Sequence, residues 1–287
     1  DLPARDGALL GRTVANLFFE PSTRTRVSFE LAATRLGADV VNLDLHSSSR
    51  VKGETVLDTI YTLQAMMADV FVMRDSEPGL PAFVAGHVQP HVSVLNAGEA
   101  HVSHPTQGLL DVLTIRQRKG EPKNLCVAIV GDISHSRVAR SAATALQTLG
   151  VGELRFVSPA SLAPEAVEFP GAKRCASLED GLRGADVIMA LRIQKERMDQ
   201  SQIPDVDAFL KEWGITERSI LHANKGAIVL HPGPMNRGVE ITSAIADGPA
   251  SAVQQQVRNG VAVRMAVLAT IVRNVQVRNV QAGRREV

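Results

Sequence analysis

From Thr13 to Leu230 the chain repeats one pattern: a short, nearly continuous apolar run, a polar turn, then a longer stretch with apolar residues at helical spacing. The runs are Thr13 to Phe19, Asp39 to Leu45, Val70 to Met73, Val92 to Asn96, Leu125 to Val130, Glu153 to Val157, Val187 to Leu191 and Ala227 to Leu230. Between them, Thr25 to Leu36 (closed by Gly37), Thr55 to Met67, His104 to Gln117 and Val138 to Leu149 read as helices. Strands alternating with helices form a parallel sheet, and a strand that is apolar at successive positions is covered on both faces. The polar stretch Lys119-Gly120-Glu121-Pro122-Lys123 breaks the series in two. The expectation is an α/β protein of two doubly wound parallel-sheet domains, 1–118 and 119–252. A C-terminal segment, 253–287, follows, helical in pattern from Val253 to Val275.

Composition narrows the function. A chain of 287 residues has room for one large or two medium domains. A formal net charge of +1 argues against a nucleic-acid partner, which needs basic residues gathered on one face, so any anion must meet a local cluster. Cys126 and Cys175 stand far apart without zinc-ligand spacing, so neither a metal site nor a disulfide framework is indicated, and a reduced, cytoplasmic setting fits. No apolar stretch is long enough to span a membrane. Asp1 to Asp6 lacks the pattern of a signal peptide, and the chain begins with Asp, as a trimmed N-terminus would.

The strongest local signal is Phe18-Phe19-Glu20-Pro21-Ser22-Thr23-Arg24-Thr25-Arg26. A strand ends, hydroxyls and arginines alternate, and a helix begins. Unpaired N–H groups and the positive dipole end at a helix start, joined by hydroxyl and guanidinium donors, make a phosphate cradle. An ordinary N-cap would account for Ser22 alone but not for the whole run. The Gly-x-x-x-x-Gly-Lys pattern of a P-loop is absent.

Other positions carry weaker signals. Arg74 stands at the C-terminal edge of a strand, where parallel sheets bind ligands; a surface arginine is the plain alternative. His104 and Gln107, in His104-Pro105-Thr106-Gln107, stand at a helix mouth as donor and acceptor for a carbonyl and an amide; alone, His104 reads as a capping or core histidine. Ser47 to Thr55 reads as a polar loop before a helix. Arg137 opens a helix, where its charge opposes the dipole unless an anion, or Asp132, compensates. Arg192 and Gln194 alternate to one face at a strand end, and with Arg137 they provide the two arginines that a dicarboxylate requires. His231-Pro232-Gly233-Pro234 reads as a rigid turn.

In this order, Phe-Glu-Pro-Ser-Thr-Arg-Thr-Arg, His-Pro-Thr-Gln, Arg-Ile-Gln-Lys-Glu-Arg and His-Pro-Gly-Pro resemble the aspartate and ornithine carbamoyltransferases over Gly11 to about Ala269. The resemblance implies that Ser22, Thr23, Arg24 and Thr25 hold the phosphate of carbamoyl phosphate, with Glu20 and Arg26 supporting the loop. It implies that Arg74 touches phosphate and carbonyl oxygen, that His104 polarises the carbonyl, and that Gln107 holds the carbamoyl nitrogen. Arg137, Arg192 and Gln194 would bind L-aspartate. Lys195, Glu196 and Arg197 would form internal ion pairs, and the Gly233 and Pro234 carbonyls would face the carbamoyl nitrogen and the substrate amine. Ser48 and Lys52 would reach a neighbouring subunit's site, which implies a homotrimer with shared active sites. Arg24, Thr25, Lys52, Arg74 and His104 would be the catalytic group. The amine attacks directly, and no metal or cofactor is implied. The C-terminal helix would return to the first domain.

Lys52, Arg192-Ile193-Gln194 and the His-Pro-Gly-Pro turn, where ornithine enzymes have His-Cys-Leu-Pro, point to aspartate and to pyrimidine synthesis. A regulatory chain or a dihydroorotase in a larger assembly stays open. Two departures bear on this reading. Too little sequence precedes Gly11 to form the family's first helix, which puts stability or assembly in question. Ala97-Gly98-Glu99-Ala100 stands in place of Ala-Gly-Asp-Gly, a change expected to alter the loop before His104. The rivals are an ornithine enzyme, a weakly active scaffold and, remotely, a dinucleotide-dependent oxidoreductase, whose glycine fingerprint is missing.

Overall fold

The computed structural model describes residues 6–44, 53–194, 198 and 204–283. Ser48, Lys52, Lys195, Glu196 and Arg197 lie outside the described residues. The chain divides into two compact units, 1–106 with 258–287, and 107–257.

In the first unit, β1 (Thr13–Phe18), β2 (Asp39–Asp44), β3 (Val70–Asp75) and β4 (Ser93–Glu99) form a parallel sheet in the order β2-β1-β3-β4. The period of two along a strand splits its side chains between two cores. Val14, Phe18, Val70 and Val72 join Phe29 of α1 (Thr23–Arg35) on one face. Ala15, Leu17, Phe71 and Met73 join Ile60 of α2 (Val56–Ala65) on the other. The buried polar residue in β1, Asn16, donates from Nδ2 to Oδ1 of Asn42, its register partner on β2, at 2.8 Å. A short helix, α3 (Leu80–Ala85), was not anticipated; it starts from Gly79 at φ +86 with a proline in its first turn.

In the second unit, β5 (Cys126–Val130), β6 (Glu153–Val157), β7 (Lys173–Cys175), β8 (Val187–Ala190) and β9 (Ile228–Leu230) form a parallel sheet in the order β7-β6-β5-β8-β9. Val127 and Ile129 face a core with Val112 and Ile115 of α4 (Pro105–Lys119) and Leu146 of α5 (Arg137–Thr148). Ala128 and Val130 face Leu178 and Leu182 of α6 (Leu178–Leu182) and Ile245 of α8 (Ser243–Ala246). Both sheets are therefore doubly covered, as the apolar runs implied.

The compact units divide inside α4, between Thr106 and Gln107. The cause is burial: Val112 and Ile115 belong to the core of the second sheet. The last helix, α9 (Val253–Gly283), runs further than its apolar pattern. Its Val261, Met265, Leu268 and Val272 join the core that holds β1 and α1, and its Arg264 donates to the Ser28 hydroxyl at 2.8 Å while lying over the Phe29 ring. No helix among the described residues is long and apolar enough to cross a membrane.

Candidate active site

In the first unit the parallel register brings strand ends together. Phe18 of β1 pairs with Arg74 of β3, and the Phe19 N–H donates to the Arg74 carbonyl at 2.8 Å. The chain then turns through Glu20 and Pro21 into α1. Ser22 is the N-cap, yet its side chain makes no capping hydrogen bond, and no acidic residue stands in the first turn. The first intrahelical bond runs from the Arg26 N–H to the Ser22 carbonyl, 3.2 Å. The N–H groups of Thr23, Arg24 and Thr25 precede it, at the positive end of the helix dipole. Thr23 and Arg24 are exposed, Ser22 is half-buried and Thr25 is buried.

Arg74 is fixed against this helix start. Its Nη2 meets the Glu20 carboxylate at 2.6 Å, and its Nη1 lies 3.4 Å from the Thr25 hydroxyl and 3.5 Å from the Ala97 carbonyl. The guanidinium therefore spans the start of α1 and the end of β4, a geometry that excludes the plain reading of Arg74 as a surface charge.

The loop from β4 to His104 is internally tied. Glu99 accepts from the Ser103 hydroxyl at 2.9 Å and from the Gly79 N–H at 3.1 Å. The Ala100 N–H donates to the Asp75 carbonyl at 2.9 Å, and Ala100 itself sits at φ +40. His104 is buried just before α4, whose first residue is Pro105, a placement that costs the helix no hydrogen bond.

In the second unit a buried network runs through α4. Gln107 donates from Nε2 to Asp111 Oδ1 at 2.9 Å, and Gln256 of α9 donates to the same oxygen at 2.7 Å. Gln256 Oε1 accepts the His231 N–H at 2.9 Å. His231 Nδ1 accepts the Gly233 N–H at 2.8 Å, so its other nitrogen, Nε2, is the donor to Glu240 at 3.0 Å. The His231-to-Pro234 turn, with a cis Gly233–Pro234 bond, is thus held from both sides. Close backbone approach seats α4: a Cβ on Gly108 would stand 2.6 Å from the Ser141 carbonyl oxygen of α5.

The loops after β5 and β8 meet at Asp132, which is fully buried. Its Oδ1 accepts from His135 Nδ1 at 2.9 Å and its Oδ2 from the Gln194 N–H at 3.0 Å. The alternative pairing of Asp132 with Arg137 is not the one adopted. Arg137 opens α5 and is itself buried. Arg192 and Gln194 are half-buried between buried Leu191 and Ile193, on one side as their alternation implied, and Arg192 Nη2 donates to Gln194 Oε1 at 3.2 Å. Gly131, at φ +118, lies against β8's extension: a Cβ there would stand 2.5 Å from the Leu191 carbonyl oxygen.

Sequence reasoning passed over Asp111, Gln256 and Glu240. The available signal was the i, i+4 spacing of Gln107 and Asp111 on one helix face. Among the described residues, no group of three or more His, Cys, Asp or Glu side chains is placed to hold a metal ion.

Residues 3–117 match the carbamoyl-phosphate-binding domain of the aspartate/ornithine carbamoyltransferases, and residues 123–271 match their Asp/Orn-binding domain. Aspartate transcarbamoylase from Trypanosoma cruzi in complex with carbamoyl phosphate is 32% identical, with 92% of this chain and 85% of that one covered and a TM-score of 0.81. The same enzyme with carbamoyl aspartate and phosphate gives 32%, 92%, 84% and 0.79. Ornithine carbamoyltransferase from Thermus thermophilus is 25% identical, with 94% and 89% covered and a TM-score of 0.82. The fold and the matches over both domains define a carbamoyl-transfer enzyme. The chain belongs to the aspartate/ornithine carbamoyltransferase family.

Proposed function

We propose that this carbamoyltransferase transfers the carbamoyl group of carbamoyl phosphate to the amine of L-aspartate, giving N-carbamoyl-L-aspartate and phosphate for pyrimidine synthesis. The observation that carries the acceptor assignment is the pair Arg192 and Gln194, presented on one side of a loop pinned by Asp132, with Arg137 at the start of the helix after β5. Two guanidinium groups suit an acceptor with two carboxylates. Ornithine has one carboxylate and a cationic side chain. The greater identity to an aspartate enzyme, 32% against 25%, and the His231-Pro232-Gly233-Pro234 turn support the same choice.

In this reading Ser22, Thr23, Arg24 and Thr25, with the N–H groups of the helix start, bind the phosphate. Arg74, Thr25 and His104 stabilise the carbonyl oxygen as it gains negative charge, by donors set before reaction begins. Gln107 accepts from the carbamoyl nitrogen, and the Gly233 and Pro234 carbonyls align that nitrogen and the incoming amine. The amine nitrogen bonds to the carbonyl carbon, the carbon–oxygen bond to phosphate breaks, and a departing phosphate oxygen takes the amine proton. Ser48 and Lys52, supplied by a neighbouring copy in a cytoplasmic homotrimer, complete the phosphate site.

The test is carbamoyl transfer by the purified protein, assayed with L-aspartate and separately with L-ornithine. Carbamoyl aspartate that is lost in Arg192→Ala is the expected result. Product with ornithine alone overturns the acceptor, and no product with either overturns the activity.

A further inference from the structure

We propose that Asp111 is a positioning residue that sets which end of the Gln107 amide meets the carbamoyl group. The proposal rests on the reading of Gln107 as the carbamoyl-nitrogen partner. A glutamine amide has a donor end and an acceptor end, and the carbamoyl NH2 offers only hydrogens, so Gln107 selects carbamoyl phosphate only with its oxygen presented. Nothing in Gln107 itself decides this. An ionised carboxylate accepts and does not donate, and the Gln107 Nε2 is held 2.9 Å from Asp111 Oδ1, which leaves Oε1 on the opposite side of the amide.

The orientation is traceable one step further. The backbone N–H of His231 can only donate, so the Gln256 end that meets it at 2.9 Å is Oε1. Gln256 Nε2 must then face residue 111, where it finds Oδ1 at 2.7 Å. The order of cause runs from His231 to Gln256 to Asp111 to Gln107, and each step permits one polarity. All four groups are buried, so water is a poor substitute for any of them. The same His231 carries the turn of Gly233 and Pro234, through the Gly233 N–H bond to Nδ1 at 2.8 Å. One hydrogen-bonded chain thereby fixes two groups that face the same carbamoyl nitrogen.

Asp111→Ala removes the acceptor and frees Gln107 to turn, whereas Asp111→Asn keeps an oxygen where Gln256 demands one. Calorimetric titration of the full-length protein with carbamoyl phosphate and, separately, with inorganic phosphate separates orientation from general damage, because phosphate carries no NH2. Asp111→Ala should weaken carbamoyl phosphate roughly five- to tenfold, the scale of one neutral hydrogen bond, with phosphate affinity unchanged. Asp111→Asn should keep both affinities within about twofold on the same scale. Equal losses for both ligands in Asp111→Ala, or none, overturn the proposal. So does selective loss of carbamoyl phosphate in Asp111→Asn, a measurement that stands even where the alanine variant does not fold. A wild-type protein that binds both ligands equally overturns the reading of Gln107 instead.

Discussion

Replacing Gly131 by alanine tests whether the loop of Arg192 and Gln194, proposed to bind the acceptor, is positioned by backbone contact. The added Cβ would stand 2.5 Å from the Leu191 carbonyl oxygen, at a residue whose φ is +118. Ordinary contact lies near 3.5 Å, so the carbonyl must retreat by about 1 Å. Leu191 leads directly into Arg192 and Gln194, and its own N–H is bonded to the Val130 carbonyl at 2.8 Å, so the loop shifts together with that anchor. A displacement of about 1 Å in a positioning group costs up to about 100-fold in rate. The backbone strain adds roughly 1–3 kcal/mol of destabilisation, which a protein of ordinary stability survives with a melting point lower by several degrees. Gly150→Ala is the control: φ is +68 there, but nothing lies within 4 Å of the new Cβ, so it carries strain without displacement. Steady-state kinetics should show kcat/KM for the acceptor falling by one to two orders of magnitude in Gly131→Ala and holding in Gly150→Ala. Equal kinetics in the two variants, at comparable melting points, would refute the argument that Gly131 is there for the Leu191 loop.

Two other outcomes follow from the geometry. Ala100 occupies a left-handed conformation at φ +40. Ala100→Gly should relieve about 1–2 kcal/mol of strain and return about half of it as added unfolded-chain entropy, for a net gain of roughly 0.5–1 kcal/mol, read by urea denaturation; a loss of stability would contradict this. Burial, aided by Glu153 and Asp186 and opposed by Arg155, pushes the Cys126 thiol up to about 11 from 9.0. The folded protein then holds this proton more tightly than the unfolded chain, so the contribution is full below pH 9.0 and is lost as pH rises through about 11. Alkylation of Cys126 in the native protein should be slow near pH 8 and quicken only well above the range of a free thiol; rapid labelling near pH 8 would contradict the burial.

The sheets were legible because their strands are apolar on both faces, and no other short element produces such runs between polar turns. The elements that sequence reading missed are α3, β7, α6, α7 (Val206–Trp213) and α8, none longer than eight residues. So few residues complete too little of the helical period to separate it from chance. The helix start after β1 was legible for a different reason: alternating hydroxyls and arginines after Pro21 overfill a cap, and α1 begins there at Thr23. The buried network through α4 was not legible. Asp111 and Gln256 are 145 residues apart, and each alone is an unremarkable polar residue in a helix. Their meaning comes from being buried against one another, which only the folded chain shows.

The Glu99-Ala100 departure shows the same limit from the other side. Read one residue at a time, a lost glycine predicts a different loop. In the fold, Ala100 sits at φ +40, a left-handed conformation that glycine adopts more readily, with its N–H bonded to the Asp75 carbonyl at 2.9 Å. The longer Glu99 carboxylate reaches both the Ser103 hydroxyl and the Gly79 N–H. Charge-assisted bonds of this kind contribute about 1.5–3 kcal/mol each when shielded, enough to hold an alanine at a strain of about 1–2 kcal/mol. Glu99 and Ala100 therefore act as a pair: the carboxylate bonds tie down the loop in which Ala100 holds its left-handed conformation.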